Sequence, residues 1–352
     1  MSLEKRIKDF VQVGLFLKQF KNGEKNADLA SVNERFYEDF EYIILRQKAL
    51  NGWFDKENVV AAVGAIGESL SEENLKTWLA KYAIQDESDK TVGVIMAGNI
   101  PMVGFHDFLS VLISGNKIQA KLASSDNTLL RKVGEILFFL DEAYKTKIEF
   151  VERLENFDAV IATGSNNTAR YFEQYFGKYP NIIRKNRNSV AIINEKDGVE
   201  ELTALGQDIF QYYGLGCRNV SKLYFPKDYR IDTFFEAILD DYQDVTQNNK
   251  YANNYDYNKA VYLMGNNQLL DNGFLLLKYD ANLSSPVGVL NYEFYNSDDE
   301  LKQYLEEKKE EIQCVVSSKN TAINTFNFGE AQCPALNDYA DGVDTLNFLL
   351  GL

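Results

Sequence analysis

The residues best placed to do chemistry are a thiol and an amide, each beside glycine. Cys217 lies in Gly214-Leu215-Gly216-Cys217-Arg218-Asn219, where two glycines leave the backbone able to present a thiol in a cleft. Neighbouring backbone N–H groups and Arg218 favour the thiolate, the form that attacks a carbonyl. A lone cysteine is more often a small buried hydrophobe. Cys314, inside the apolar run IQCVVSS, fits that description, and Cys333, before Pro334, fits either. Asn99 lies in Met96-Ala97-Gly98-Asn99-Ile100-Pro101, at the end of the apolar run TVGVI. An amide there can donate to a developing oxyanion or simply satisfy the turn before Pro101. Taken alone, the motif reads first as the turn. Thr163-Gly164-Ser165-Asn166 again joins a strand to a helix, where backbone N–H groups suit a phosphate and a serine suits an ordinary cap. Lys121, near the end of KIQAKL and followed by Ser124-Ser125-Asp126, can reach adenosine hydroxyls or phosphate, or stay solvated as most lysines do. No GxGxxG fingerprint occurs.

Composition narrows the chemistry. The net charge of −15 repels a phosphate backbone, so nucleic acid is not expected as a partner. His106 is the only histidine, which excludes paired-histidine metal sites. It lies on the apolar run GFHDFLSVLIS and reads as a packed or capping residue. Three widely spaced cysteines make no disulfide framework and no zinc motif. No run of eighteen apolar residues predicts a membrane span. The charged, amphipathic N-terminus is unlike a secretory leader, so a cytoplasmic protein with reduced thiols is expected.

These residues need elements to hold them. Residues 1–90 read as helices, among them the N-terminal stretch, ASVNERFYEDFEYIILRQKALN, and SEENLKTWLAKYAI behind a Ser71 cap. From residue 91 to 177 strand and helix alternate: TVGVIMAG, a helix over 102–114 closed by Gly115, KIQAKL, a helix from SSDNTLL, IEFVE, DAVIATGS and the helix NNTARYFEQYFG. That order predicts a parallel, doubly wound sheet. Residues 178–188 read as a polar, basic connector. A second alternating series follows, with SVAIIN, SKLYFP, KAVYLMG, NGFLLLKY, VGVLNYEFY and IQCVVSS as strands and EELTALGQDIFQYYG and YRIDTFFEAILDDYQ as helices. The Tyr/Asn-rich NNKYANNYDYN reads as an exposed loop.

Taken in order, AGNIP, SGNKIQAK, ATGS, GLGC, SSPVGVLNYEFYNSDDELKQYL and DGVDTLNFLL resemble the aldehyde dehydrogenase superfamily over roughly residues 90–350. Within it the chain is most similar to the bacterial acyl-CoA reductases that supply long-chain aldehyde in bioluminescence. The resemblance implies an α/β, aldehyde-dehydrogenase-like fold of two doubly wound Rossmann-like domains with an N-terminal helical segment. It implies a helical segment and cofactor domain over 1–185, a catalytic domain over 186–320, and a return to the cofactor domain over 321–352. Cys217 would be the nucleophile, and Asn99 the side-chain oxyanion donor assisted by the Cys217 N–H. Lys121 would contact the adenosine ribose and Gly164-Ser165 the pyrophosphate, with Ala97, Gly98, Ser124 and Thr163 in the same cofactor-binding set. The implied cofactor is NADPH, with NADH allowed, and the implied substrate is an acyl-CoA or other acyl thioester. A homo-oligomer is allowed, although the superfamily's C-terminal contact would be reduced or absent.

Departures from the pattern sharpen this. Aldehyde-oxidising relatives carry a water-activating glutamate ahead of the cysteine; here that stretch holds Arg184, Lys185, Asn186 and Arg187. Without a general base for water an acyl-enzyme persists, which suits exchange with a thiol. A second glutamate ahead of a GPV motif is replaced by Asn282 and Ser284 in ANLSSPVGV. Ser124 stands where NAD-preferring relatives often have a glutamate, and a hydroxyl there tolerates a 2′-phosphate. Two alternatives stay open: an acyl-phosphate reductase, and a non-catalytic nucleotide-binding protein on the same scaffold.

Overall fold

Apolar residues repeating every three or four positions write the first layer of the molecule as helices. The computed structural model describes residues 1–319 and 325–352. They form two units, Met1–Lys185 together with Ala335–Leu352, and Asn186–Pro334. The boundary expected at 320/321 falls on residues outside those described.

In the first unit, α1 (Leu3–Asn22) starts at Ser2, whose side chain accepts from Lys5 N, and ends at Gly23 with φ +75°. It is followed by α2 (Ala30–Leu50), α3 (Lys56–Ser69) and α4 (Glu72–Leu79). Phe10, Val13 and Phe16 of α1 meet Phe36 and Phe40 of α2 in one core, all buried. The sequence reading leaves α3 unassigned; its apolar side is largely Val, Ala and Gly. Those small residues let it approach α1 closely, since a Cβ at Gly67 would stand 2.8 Å from Lys18 N. The sheet is built from β1 (Thr91–Ile95), α5 (Phe105–Ile113), β2 (Lys117–Lys121), α6 (Leu129–Leu140), β3 (Ile148–Phe150), β4 (Ala159–Thr163), α7 (Asn166–Phe176) and β5 (Asn181–Arg184). The strand order is β3-β2-β1-β4-β5, all parallel. The chain therefore winds outward from β1 to one side, then returns and winds to the other. β5 corrects the expected connector: Ile182 buries against the core and the strand completes the sheet edge.

The second unit runs β6 (Asn188–Ile192), α8 (Val199–Phe210), β7 (Val220–Pro226), α9 (Ile231–Tyr242), α10 (Asn249–Met264), β8 (Leu269–Asp271), β9 (Leu276–Tyr279), β10 (Val289–Tyr295), α11 (Asp298–Glu307), β11 (Ile312–Ser317) and β12 (Thr325–Phe326). Its sheet has the order β12-β11-β6-β7-β10-β9-β8, parallel except for the antiparallel pair β8–β9. Two expectations are overturned by α10. NNKYANNYDYN is not a loop and KAVYLMG is not a strand: both lie in this one helix. Tyr251, Tyr255 and Asn258 recur at helical spacing and are buried. Tyr251 donates to Phe274 O at 2.9 Å, Tyr255 to Asp271 Oδ1 at 2.6 Å, and Asn258 to Val287 O at 3.0 Å. The polar ends of these side chains are satisfied by partners 16 to 29 residues away, so a polar sequence still buries one face.

The C-terminal stretch of the first unit carries α12 (Thr345–Leu350). Tyr339 receives the Trp78 indole N–H at 2.7 Å and hydrogen-bonds Tyr82, which donates to Asp344. His106 packs against the rings of both Trp78 and Tyr339 with its Nε2 2.9 Å from Leu336 O, the packed residue expected of it. Among the described residues no helix is long and apolar enough to cross a membrane.

Candidate functional site

The proposed site residues fall into two groups, one in each unit. In the first unit they share the carboxyl edge of the sheet. Ile95 pairs with Lys121 on one side and with Ala162 on the other. Ala97, Gly98 and Asn99 therefore leave the end of the central strand, flanked by Lys121 and Thr163, where the winding direction reverses. Open parallel sheets bind ligands at such a reversal. Backbone packing there is tight: a Cβ on Gly98 would stand 2.6 Å from both Ala123 Cβ and Ser125 Oγ. Ser125 Oγ donates to Gly98 O at 3.0 Å, tying the turn after β1 to the turn after β2. Asp126, which the sequence reading does not single out, accepts from Met102 N at 2.7 Å. Met102 has φ +54°, a costly conformation for its side chain, so this bond holds a strained turn closed. Burial pushes the Asp126 carboxyl up to about 6, against the Met102 N–H that favours its charge.

Lys121 donates its ammonium to Glu152 O at 2.7 Å, while Ser124 is exposed. Ser165 caps α7, accepting from Thr168 N at 3.2 Å. Gly164 packs closely on that first turn, where a Cβ would stand 3.0 Å from Thr168 Cβ. Of residues 184–187, which include no carboxylate, the first is held in the interior. Arg184 is a buried structural cation: its guanidinium pairs with Asp107 Oδ2 at 2.5 Å and donates to Thr345 Oγ1 at 2.9 Å.

In the second unit Cys217 is exposed between α8 and β7, and none of the three cysteines is in a disulfide. The approach is strained: Tyr212, Tyr213 and Gly214 all have positive φ, at 53°, 58° and 75°. Gly214 pays little for this, the two tyrosines more. The thiol then lies within a closed turn, Asn219 N donating to Gly216 O at 3.0 Å. Ser189 Oγ donates to Cys217 O at 2.9 Å and lies 3.1 Å from Cys314 Sγ. Cys314 is fully buried, and burial raises its thiol to about 11, as fits its reading as a core residue. Cys333 is exposed. Arg218 reaches Ala331 O at 3.3 Å and lies over the Phe326 ring. Asp208 on α8 accepts from Gly329 N at 2.7 Å and Ala331 N at 3.0 Å, and burial pushes its carboxyl up to about 7.

No protein-family model matches the sequence, and no curated protein matches it. Solved structures do. Aldehyde dehydrogenase 21 from Physcomitrella patens, in complex with the reaction product succinate, superposes with a TM-score of 0.66 at 13% identity, covering 100% of this chain and 84% of that one. The fold is aldehyde-dehydrogenase-like. The Δ-pyrroline-5-carboxylate dehydrogenase of Mycobacterium tuberculosis matches with a TM-score of 0.60 at 14% identity, over 99% of this chain and 77% of that one. An aldehyde dehydrogenase from Bacillus cereus in complex with NAD+ matches with a TM-score of 0.59 at 14% identity, over 90% and 72%.

Asn282 and Ser284 are exposed, on a loop held through its carbonyl groups. Asn282 turns its amide onto Asp280 Oδ1 at 2.8 Å. The Asn282 and Ser284 carbonyls accept from Asn291 Nδ2, and the Asp280 carbonyl accepts from the buried Lys222 ammonium. Asp126 and Asn219 stand inside motifs that the sequence reading quotes without giving them a role, and Ser189 and Asp208 lie outside those motifs. Buried polar groups need partners, but sequence does not say which ones they meet.

Proposed function

We propose that this chain reduces an acyl thioester, with a long-chain acyl-CoA as the leading substrate, to the aldehyde through an acyl-enzyme on Cys217. The observation that carries the reading is an exposed thiol in a closed turn of a chain whose residues 184–187 offer no carboxylate to activate water. Cys217 attacks the thioester carbonyl as thiolate, the oxyanion collapses, and the carrier thiolate leaves with the electrons of the broken C–S bond. Asn99 is the proposed side-chain donor to that oxyanion, together with the Cys217 N–H. With Arg184 committed to Asp107, no base is offered to water from that stretch, and the acyl group waits on sulfur.

A nicotinamide dinucleotide fits the residues at the carboxyl edge of the first sheet. Gly98 and Gly164 keep the backbone bare where the turns pack closely. Lys121 ends β2, Ser165 opens α7, and Ser124 presents an exposed hydroxyl rather than a carboxylate, which favours NADPH while admitting NADH. When bound, the reduced nicotinamide supplies the hydride that takes the acyl-enzyme to aldehyde and returns Cys217 as thiolate.

The test is incubation with long-chain acyl-CoA, with and without NADPH, followed by mass analysis of the Cys217 peptide. An acyl adduct is expected without NADPH, lost in Cys217→Ala, and consumed when NADPH is added. An adduct that persists in Cys217→Ala, or NADPH oxidation unaffected by that change, refutes the reading. Turnover of acyl phosphate but not acyl-CoA moves the substrate class. Binding of NADPH and coenzyme A without turnover of either substrate makes the chain a binding protein.

A further inference from the structure

The Asn219 side chain is hydrogen-bonded on both its amide nitrogen and its oxygen beside the thiol, and the proposed chemistry leaves it unused. It is 3% exposed. Its Nδ2 donates to Asp208 O at 3.0 Å and Gln211 O at 2.8 Å, with Ile209 O at 3.5 Å. These carbonyls lie at the C-terminal end of α8, where a helix runs out of its own donors. Its Oδ1 accepts from Gly216 N at 2.8 Å. Its own backbone N–H donates to Gly216 O at 3.0 Å. The four residues 216–219 are thus closed twice, by main chain and by side chain, around Cys217 and Arg218.

We propose that Asn219 is the positioning residue for Cys217, clamping the thiol-bearing turn to the end of α8. An amide is the side chain this requires. The helix carbonyls need a donor and the Gly216 N–H needs an acceptor, both from one short group. Aspartate is isosteric but turns a carboxylate oxygen toward carbonyl oxygens, and alanine offers nothing to either side. The clamp also offsets the strain ahead of it. Tyr212 and Tyr213 hold left-handed conformations, and a turn loose at its far end would let them relax. With Ser189 holding the Cys217 carbonyl, both flanks of the thiol are fixed. The role rests on the proposed nucleophilic function of Cys217, but the clamp is measurable without any substrate.

The experiment has three parts. First, in the unaltered protein, hydrogen exchange at the Gly216 amide is read by NMR or by fragmentation mass spectrometry; protection is expected, and exchange at the rate of an open loop overturns the proposal. Second, Cys217 alkylation by iodoacetamide is followed by peptide mass in Asn219→Ala and in the unaltered protein, with exposed Cys333 as the internal reference. The Cys217-to-Cys333 rate ratio is expected to fall about tenfold, because the attacking sulfur is no longer held in place. Third, acyl-CoA reduction is expected to lose about 10- to 100-fold in kcat with KM changed by less than about threefold. A folded Asn219→Ala protein whose alkylation ratio is unchanged or raised overturns the proposal. If Asn219→Ala does not fold, the Gly216 amide decides alone. If the unaltered protein shows no acyl-CoA reduction, the first two parts still decide the clamp, so failure of the functional reading is separable from failure of this one.

Discussion

Removing the Asp107 carboxylate should unfold the first unit more readily than its size suggests, and a second substitution should repair it. Arg184 and Asp107 are both only 8% exposed at their side chains, and their atoms meet at 2.5 Å. Asp107→Leu leaves the guanidinium in that interior facing an apolar group. Breaking a buried pair from one side costs about 3–5 kcal/mol, because the remaining charge has left water without its counter-charge. Replacing both partners with apolar groups of similar size removes the desolvation cost with the attraction, and is often neutral or stabilising. Asp107→Leu with Arg184→Met is therefore expected within about 1–2 kcal/mol of the parent, the Thr345 bond being part of the residual loss. Urea unfolding followed by tryptophan fluorescence measures this directly: the only tryptophans, Trp53 and Trp78, both belong to the first unit. A double variant no more stable than Asp107→Leu, or an Asp107→Leu variant within about 1 kcal/mol of the parent, refutes the reasoning. The same logic bears on function. Arg184→Glu supplies a carboxylate within residues 184–187, but sets it against Asp107. It should destabilise the unit and give no acyl hydrolysis.

Three further outcomes are expected. Asp126 is an acid whose folded value, about 6, lies above its ordinary 3.8 because it is buried. Its contribution to stability is therefore fully present below about pH 4 and is lost as the pH rises through about 6, by at most about 1.4 kcal/mol per pH unit. Asp126→Asn keeps the acceptor for Met102 N and should flatten the tryptophan-detected pH dependence in that window; an unchanged slope contradicts the assignment. Gly98→Ala forces contacts at 2.6 Å with Ala123 and Ser125, and should cost about 1–3 kcal/mol and weaken NADPH binding in a fluorescence titration; unchanged affinity and stability argue against the tight turn. Tyr251→Phe removes the donor to Phe274 O from a 2% exposed side chain, and should raise exchange at the amides of α10 by an amount equivalent to about 1 kcal/mol; unaltered exchange means that apolar packing alone holds the helix.

The alternation of strand and helix is a local signal, and the structure places most of these elements where their patterns predict. The cap at Ser71 read correctly because a cap involves residues only three apart, and Ser165, read as either a cap or a phosphate site, does cap α7. Cys314 was legible as core from the apolar run around it. The Tyr/Asn-rich helix α10 was not. Its buried face is made of side chains that count as polar until Phe274, Asp271 and Val287 satisfy them. The short strand β5 was missed because its flanks are basic and only its pairing with β4 marks it as a strand.

The sequence by itself determined most of the elements, the glycine-rich turns, the type of residue at Cys217 and Asn99, and the lack of a carboxylate over 184–187. These depend on residue identity and on spacing within a turn or two. The tertiary structure alone decided what those residues meet. It turned Arg184 from a charge in a connector into a buried partner of Asp107, 77 residues away, and chose Trp78 and Tyr339 as the rings that His106 packs against. It set Ser189 on the Cys217 carbonyl and made Asn219 a clamp on α8. Burial removes water as the alternative partner, so each buried polar group must find a protein partner, and the winding of the sheets decides which one is within reach.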